Sequence, residues 1–140
     1  MKISIGADHR GYALKQVIIN HFGEHQFVDA GTFNQERTDY PLFAQKVCND
    51  IRDGQAEVGI LICGSGVGMS IAANRHKKIY AGLCWSPEVA RVAKAHDGIN
   101  VLVLPADFVT SEVAIQIMTT WLATPFEGGR YAQRLEMTDK

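Results

Sequence analysis

The chain has 140 residues, enough for one domain that buries a core of its own, and 46% of them are hydrophobic. Its 14 Lys and Arg against 15 Asp and Glu leave a net charge of -1, no footprint for nucleic acid or a membrane surface, so the expected partner is a small molecule. Three cysteines with no C-x-x-C spacing argue against a disulfide framework or a zinc site. With no signal peptide after Met1-Lys2 and no apolar run near the roughly 20 residues of a spanning helix, the expected location is the cytoplasm.

Apolar runs of strand length alternate with segments of helical period, the sequence form of a parallel α/β layer structure. In chain order the pattern predicts a strand at Lys2-Gly6, a helix at Gly11-Phe22, a strand at Gln26-Ala30 and a helix at Tyr40-Asp53. A strand at Glu57-Ile62, a short helix at Val67-Asn74, a strand at Ile79-Leu83 and a helix at Pro87-Ala95 follow. Val101-Leu104 and Ser111-Ala123 complete the series as strand and helix. Pro41 and Pro87 fall at helix starts, where a missing amide hydrogen costs nothing. The expected fold is α/β: a three-layer αβα, Rossmann-like domain over 1–140, with a five-stranded parallel sheet. After Thr124 the pattern is broken by Pro125 and Gly128-Gly129, and a short helical tail over Arg130-Leu135 would put Arg130 and Arg134 on one face. That pair is either a solvated surface or an anion clamp reaching a neighbouring subunit.

In such a sheet ligands bind beyond the carboxyl ends of the strands, so the residues there carry the functional reading. Ile62-Cys63-Gly64-Ser65-Gly66-Val67-Gly68 delivers a thiol from a strand into a glycine-rich turn ahead of a helix, whose unpaired amides and positive dipole end favour a thiolate and can hold an oxyanion. Cys48 and Cys84 read as small core hydrophobes. A Walker loop does not fit for want of its Gly-Lys-Ser/Thr run, nor a dinucleotide turn with Met69 where a small residue is needed; a cysteine phosphatase is a sharper rival, weakened by the same Met69 where its arginine belongs. Gly6-Ala7-Asp8-His9 after the first strand and His96-Asp97-Gly98-Ile99-Asn100 before the last add groups suited to proton transfer, although Asp8 also suits a helix cap. The histidines lack ligand spacing, and no metal is expected.

Ala7-Asp8-His9-Arg10-Gly11, Glu36-Arg37-Thr38-Asp39-Tyr40-Pro41, the Cys63 loop and Glu127-Gly128-Gly129-Arg130 occur in an order that resembles the type B ribose-5-phosphate isomerases, over nearly the whole chain. The resemblance implies interconversion of ribose 5-phosphate and ribulose 5-phosphate in the non-oxidative pentose phosphate pathway, without a cofactor. It implies that Cys63 is the base working through an enediolate, that the amides of Gly64, Ser65, Gly66, Val67 and Gly68 hold the oxyanion with help from the Ser65 side chain, and that His96 is the acid that opens the furanose ring. Asp8 and His9 would bind the sugar and its phosphate end, with Asp97 and Asn100 as further substrate contacts. Arg130 and Arg134 would grip the phosphate from a partner subunit, since the family's site lies at the interface of a homodimer or tetramer, and some relatives carry a glutamate as base in place of the cysteine.

Two positions depart from the family pattern. Asp97 stands where an asparagine is usual, and Asp107, in Leu104-Pro105-Ala106-Asp107-Phe108, stands where many relatives have a substrate-binding arginine. A carboxylate repels a phosphate dianion. Either Asp107 turns away or the substrate differs, so the alternatives are isomerisation of a six-carbon phosphosugar of the allose 6-phosphate or galactose 6-phosphate type, and a non-catalytic phosphosugar-binding protein.

Overall fold

The computed structural model describes residues 1–139; Lys140, the end of the expected tail, lies outside the described residues. Its elements are β1 (Lys2–Ala7), α1 (Tyr12–His21), β2 (Gln26–Gly31), α2 (Tyr40–Arg52), β3 (Val58–Cys63), α3 (Val67–Asn74), β4 (Ala81–Leu83), α4 (Pro87–Asp97), β5 (Val101–Pro105), α5 (Ser111–Ala123) and α6 (Arg130–Thr138). The strands form one parallel sheet in the order β2-β1-β3-β5-β4.

Period-two alternation within the strands builds the layers. Ile3 and Ile5 of β1, Ile60 and Ile62 of β3, and Leu102 and Leu104 of β5 pack with Leu14, Ile18, Ala90, Ile117 and Trp121 on α1, α4 and α5. Leu61, Cys63, Val101 and Val103 face the other way, against Phe43, Val47, Met69 and Ala73 of α2 and α3. Such strands, buried on both faces, read as unbroken apolar runs. Trp121 is fully buried because its indole Nε1 donates to the Ile99 carbonyl at 3.2 Å.

Two of the six helix starts, those of α4 and α5, carry side-chain caps. Ser86 Oγ accepts from the Val89 amide and Thr110 Oγ1 from the Val113 amide, both at 3.2 Å, with Glu88 and Glu112 in the first turns of α4 and α5. The start of α3, at Gly66, has no side-chain cap. β4 is shorter than the expected Ile79-Leu83 because Asn100 intercepts the chain before it: the Tyr80 amide donates to Asn100 Oδ1 at 2.8 Å, and Asn100 Nδ2 donates to the Lys78 carbonyl at 2.9 Å. Lys15, fully buried on α1, ties that helix to the end of β2 by donating to Asp29 at 2.5 Å and to the Thr32 carbonyl at 2.6 Å.

α1 lies so close to β3 that a Cβ at Gly11 would stand 2.6 Å from the Ile62 carbonyl oxygen. Backbone on both sides leaves nothing to rotate out of the way. Gly11→Ala is therefore expected to lower unfolding free energy by about 2 kcal/mol or more, in the range of overpacking; urea denaturation measures it, and an unchanged midpoint would show that α1 can lift off β3 at no cost.

Candidate active site

From β1 the chain winds outward to β2, and from β3 it winds the other way, so the crevice between the carboxyl ends of β1 and β3 is the topological switch point of the sheet. Cys63 is the last residue of β3 and Asp8 the first residue past β1. Between them and the start of α2 lies a cavity of about 390 Å3 lined by Asp8, Tyr40, Cys63, Gly64, Ser65 and Gly68, with Arg10, Asp107 and Phe108 at its walls. That volume is at the small end for ligand sites, and suits a compact polar ligand.

The loop is shaped by what its glycines lack. Gly66 has φ +78, in the left-handed region, which turns the strand into α3. At Gly68 a Cβ would lie 2.6 Å from the Tyr40 ring, which here closes over the first turn of α3. The amides of Met69, Gly66 and Gly68 point at the Cys63 sulfur, and Ser65 Oγ accepts from the Val67 amide at 3.2 Å.

These amides do not make the thiol acidic overall. Burial pushes the Cys63 thiol above the ordinary value of 9.0, and Asp8 pushes it further in the same direction; the three amides oppose both without prevailing. The expected acidification by the helix end is thus corrected by the chain's own packing: Cys63 is only 5% exposed, so loss of water outweighs the dipole. Asp8 closes the turn that leads into α1, its Oδ1 accepting from the Arg10 amide at 3.0 Å and the Gly11 amide at 3.1 Å, while the cap position of the helix falls to Gly11, which has no side chain to cap with. His9 is locked to the loop before α2: its Nδ1 accepts from the Thr38 amide at 3.3 Å, and its own amide donates to Thr38 Oγ1 at 3.2 Å. With Nδ1 an acceptor, the neutral ring carries its proton on Nε2.

The remaining sequence-selected residues are elsewhere. His96 and Asp97 form the last turn of α4, not a loop, and α4 runs antiparallel to the strands, so they and Asn100 lie at the amino edge of the sheet. At about 3.3 Å per residue, five-residue strands separate them from the Cys63 edge by roughly 16 Å. Around His96 a second group assembles from the tail. The His96 ring stacks on Tyr131 with centroids 4.7 Å apart, and Glu127 Oε2 lies 3.6 Å from His96 Nε2. Arg130 and Arg134 lie over the same Tyr131 ring at 5.1 and 5.6 Å. Asp97 is exposed beside this group, and Asn100 is engaged by the backbone of Lys78 and Tyr80. One chain therefore holds two polar groups on opposite edges of its sheet.

Several residues at these sites escape sequence reasoning. Tyr131 is the platform on which the second group is built, and its only signal is a place one residue after Arg130 and three before Arg134. Arg10 and Tyr40 sit inside motifs quoted for the resemblance but carry no chemistry there until the fold turns them to the cavity. Asp107 does not turn away: it reaches the cavity wall and is ion-paired with Arg10. Among the described residues no three His, Cys, Asp or Glu side chains cluster to hold a metal ion, and no helix is long and apolar enough to cross a membrane.

The thiols differ enough to test this electrostatic picture. Burial holds Cys48 up at about 11 and Cys84 at about 12, both fully out of water. Near neutral pH iodoacetamide should modify Cys63 first, and Asp8→Asn, which removes a charge that raises the thiol while keeping an oxygen for the turn before α1, should speed that modification severalfold by peptide mass spectrometry. An unaltered rate would mean that Asp8 does not act on the sulfur.

The same architecture recurs in known proteins. The model of the Ribose/Galactose Isomerase family matches residues 3–138. Ribose-5-phosphate isomerase B of Escherichia coli is 43% identical, over 96% of this chain and 92% of that protein. The crystal structure of a ribose 5-phosphate isomerase from Thermotoga maritima superposes with a TM-score of 0.97 at 44% identity, covering 99% of this chain and 97% of that one. That of ribose-5-phosphate isomerase B from Mycoplasma genitalium with bound ribulose-5-phosphate has a TM-score of 0.91 at 38% identity, over 97% and 92%. The chain thus belongs to the ribose/galactose isomerase family, alongside the type B ribose-5-phosphate isomerases, and is an isomerase.

Proposed function

We propose that the chain interconverts ribose 5-phosphate and ribulose 5-phosphate through an enediolate, in the non-oxidative pentose phosphate pathway of the cytoplasm. One observation supports this most: a thiol held against three helix-start amides, in a small polar cavity at the switch point. The ribulose-5-phosphate bound to the Mycoplasma genitalium relative is the product of that reaction.

In the forward direction the Cys63 thiolate removes the proton on C2 of the open-chain aldose, and the electron pair moves onto the C1 carbonyl oxygen. The amides of the Gly64–Gly68 turn, with Ser65 beside them, receive that oxyanion. Transfer of the O2 proton to O1 and return of the carbon-bound proton from Cys63 to C1 complete the ketose. A thiol held above its ordinary value is scarce as thiolate but strong once ionised, and the amides keep that form within reach. His9 and Asp8 take the sugar and its far end.

The active site is completed by a second copy of the chain, in a homodimer or tetramer. Its His96, with Asp97 and Asn100 nearby, supplies the acid that opens the furanose ring, and its Arg130 and Arg134 hold the phosphate. Two features support this. The two polar groups are a sheet length apart in one chain. Exposed apolar side chains gather on elements that start or end at the Cys63 edge: Leu42, Val67, Ile71, Trp85 and Phe108. Asn100 would act from there by fixing the entry to β4, since its amide is held by backbone.

Cys63→Ala should lower turnover of ribose 5-phosphate by about 10²–10⁴-fold, the usual worth of a positioned base, with its affinity by calorimetry changed little; full turnover would remove Cys63 from the chemistry. The shared site has its own test. Cys63→Ala and His96→Gln chains, each nearly inactive alone, should on unfolding and refolding together recover roughly a quarter of wild-type activity, because half the dimers are mixed and carry one intact site of two. No recovery would place the whole site in a single chain.

A further inference from the structure

Arg10 and Asp107 come from opposite sides of the Cys63 turn, 97 residues apart, and meet above Gly64. A Cβ on Gly64 would touch both, at 2.7 Å from Arg10 Nε and 2.7 Å from Asp107 Oδ2. Neither residue is loosely hung: the Arg10 amide is bound by Asp8, and the Asp107 amide donates to the Gly64 carbonyl at 3.0 Å. The pair is not a core ion pair, with side chains 59% and 36% exposed, so its contribution to stability is small. Its position at the wall of the cavity suggests another use.

We infer that Arg10 and Asp107 are specificity-determining residues that read the hydroxyl groups of the sugar, and not its phosphate; the inference rests on the isomerase reading above. A guanidinium joined to a carboxylate is close to neutral as a unit and offers little attraction to a dianion. It offers instead what a run of hydroxyls needs. Arg10 has five N–H donors and gives one to Asp107, and Asp107 keeps lone pairs that Arg10 does not use. A hydroxyl donates and accepts at once, so a sugar carbon bearing one between these groups satisfies both, and its epimer leaves both unpaired, which is where polar sites discriminate most strongly. Asp107 therefore need not repel the substrate: its charge is answered by Arg10, while Arg130 and Arg134, which have no carboxylate partner among the described residues, remain for the phosphate.

The test is calorimetric binding of ribitol 5-phosphate, its C3 epimer xylitol 5-phosphate, and inorganic phosphate, to the wild-type chain and to Arg10→Gln/Asp107→Asn. The wild type should prefer ribitol 5-phosphate by about tenfold or more, and the variant should lose most of that preference while its affinity for inorganic phosphate stays within about twofold. The exchange Arg10→Asp/Asp107→Arg keeps an ion pair but swaps its donor and acceptor walls, and it too should lose the preference; a purely structural pair would be rescued by the swap. Equal binding of the two epimers by the wild type, a preference unchanged in both variants, or a loss of phosphate affinity matching the loss of ribitol 5-phosphate would overturn the inference and leave the isomerase reading standing. Failure of the wild type to bind any of the three would remove the isomerase reading, and this inference with it.

Discussion

Three backbone hydrogen bonds that continue the ladder past its strands hold the site in one piece. The Asp8 amide donates to the Ile62 carbonyl at 3.2 Å, the Ala106 amide to the Cys63 carbonyl at 2.9 Å, and the Asp107 amide to the Gly64 carbonyl at 3.0 Å. Each ties a group of the cavity wall to β3 or the turn after it, from β1 on one side and β5 on the other. The thiol, the carboxylate of Asp8 and the Arg10–Asp107 pair thus share one rigid frame, and the absence of a side chain at Gly11 lets α1 close down on it. Sites built on strand ends hold their geometry better than sites on free loops.

Within that frame the chemistry is set by a contest between solvation and dipoles. α4 and α5 spend first-turn amides on Ser86 and Thr110, whereas α3 gives its Val67 amide to Ser65 and leaves those of Gly68 and Met69 to the Cys63 sulfur. Those amides act on a thiol from which water has been withdrawn, and the carboxylate of Asp8 lies close by. Burial prevails in the resting chain. The arrangement makes the Cys63 thiolate scarce near neutral pH and strongly basic where it forms.

The strands and helices were legible because two-sided burial writes itself as apolar runs, and because the prolines at 41 and 87 sit where helices begin. The Cys63 turn was legible for a local reason, since thiol, glycines and helix start are contiguous. His96 was misplaced by the same locality: it precedes β5 in sequence, but a helix that returns antiparallel to the sheet delivers its end to the amino edge, away from Cys63. The ionisation of Cys63 was misjudged because the helix start is visible in sequence and the burial that outweighs it is not. Asp107 looked like a solitary charge and Arg10 was only a letter in a motif, and β5 beside β3 shows them as one unit. Tyr131 was unreadable for the same reason, its role existing only once α6 lies against the end of α4.

Holding the Cys63 thiol up has a consequence for the lifetime of the molecule. Peroxide attacks the anion of cysteine far faster than the thiol, and the product, a sulfenic acid, can neither take nor return a proton from carbon. A strongly acidic cysteine in an open cavity would stand exposed to that damage between turnovers. Here the sulfur is buried and its pKa pushed up, and Cys48 and Cys84, pushed up to about 11 and about 12, are no readier to react. The packing that raises the Cys63 thiol also keeps it in its oxidation-resistant form.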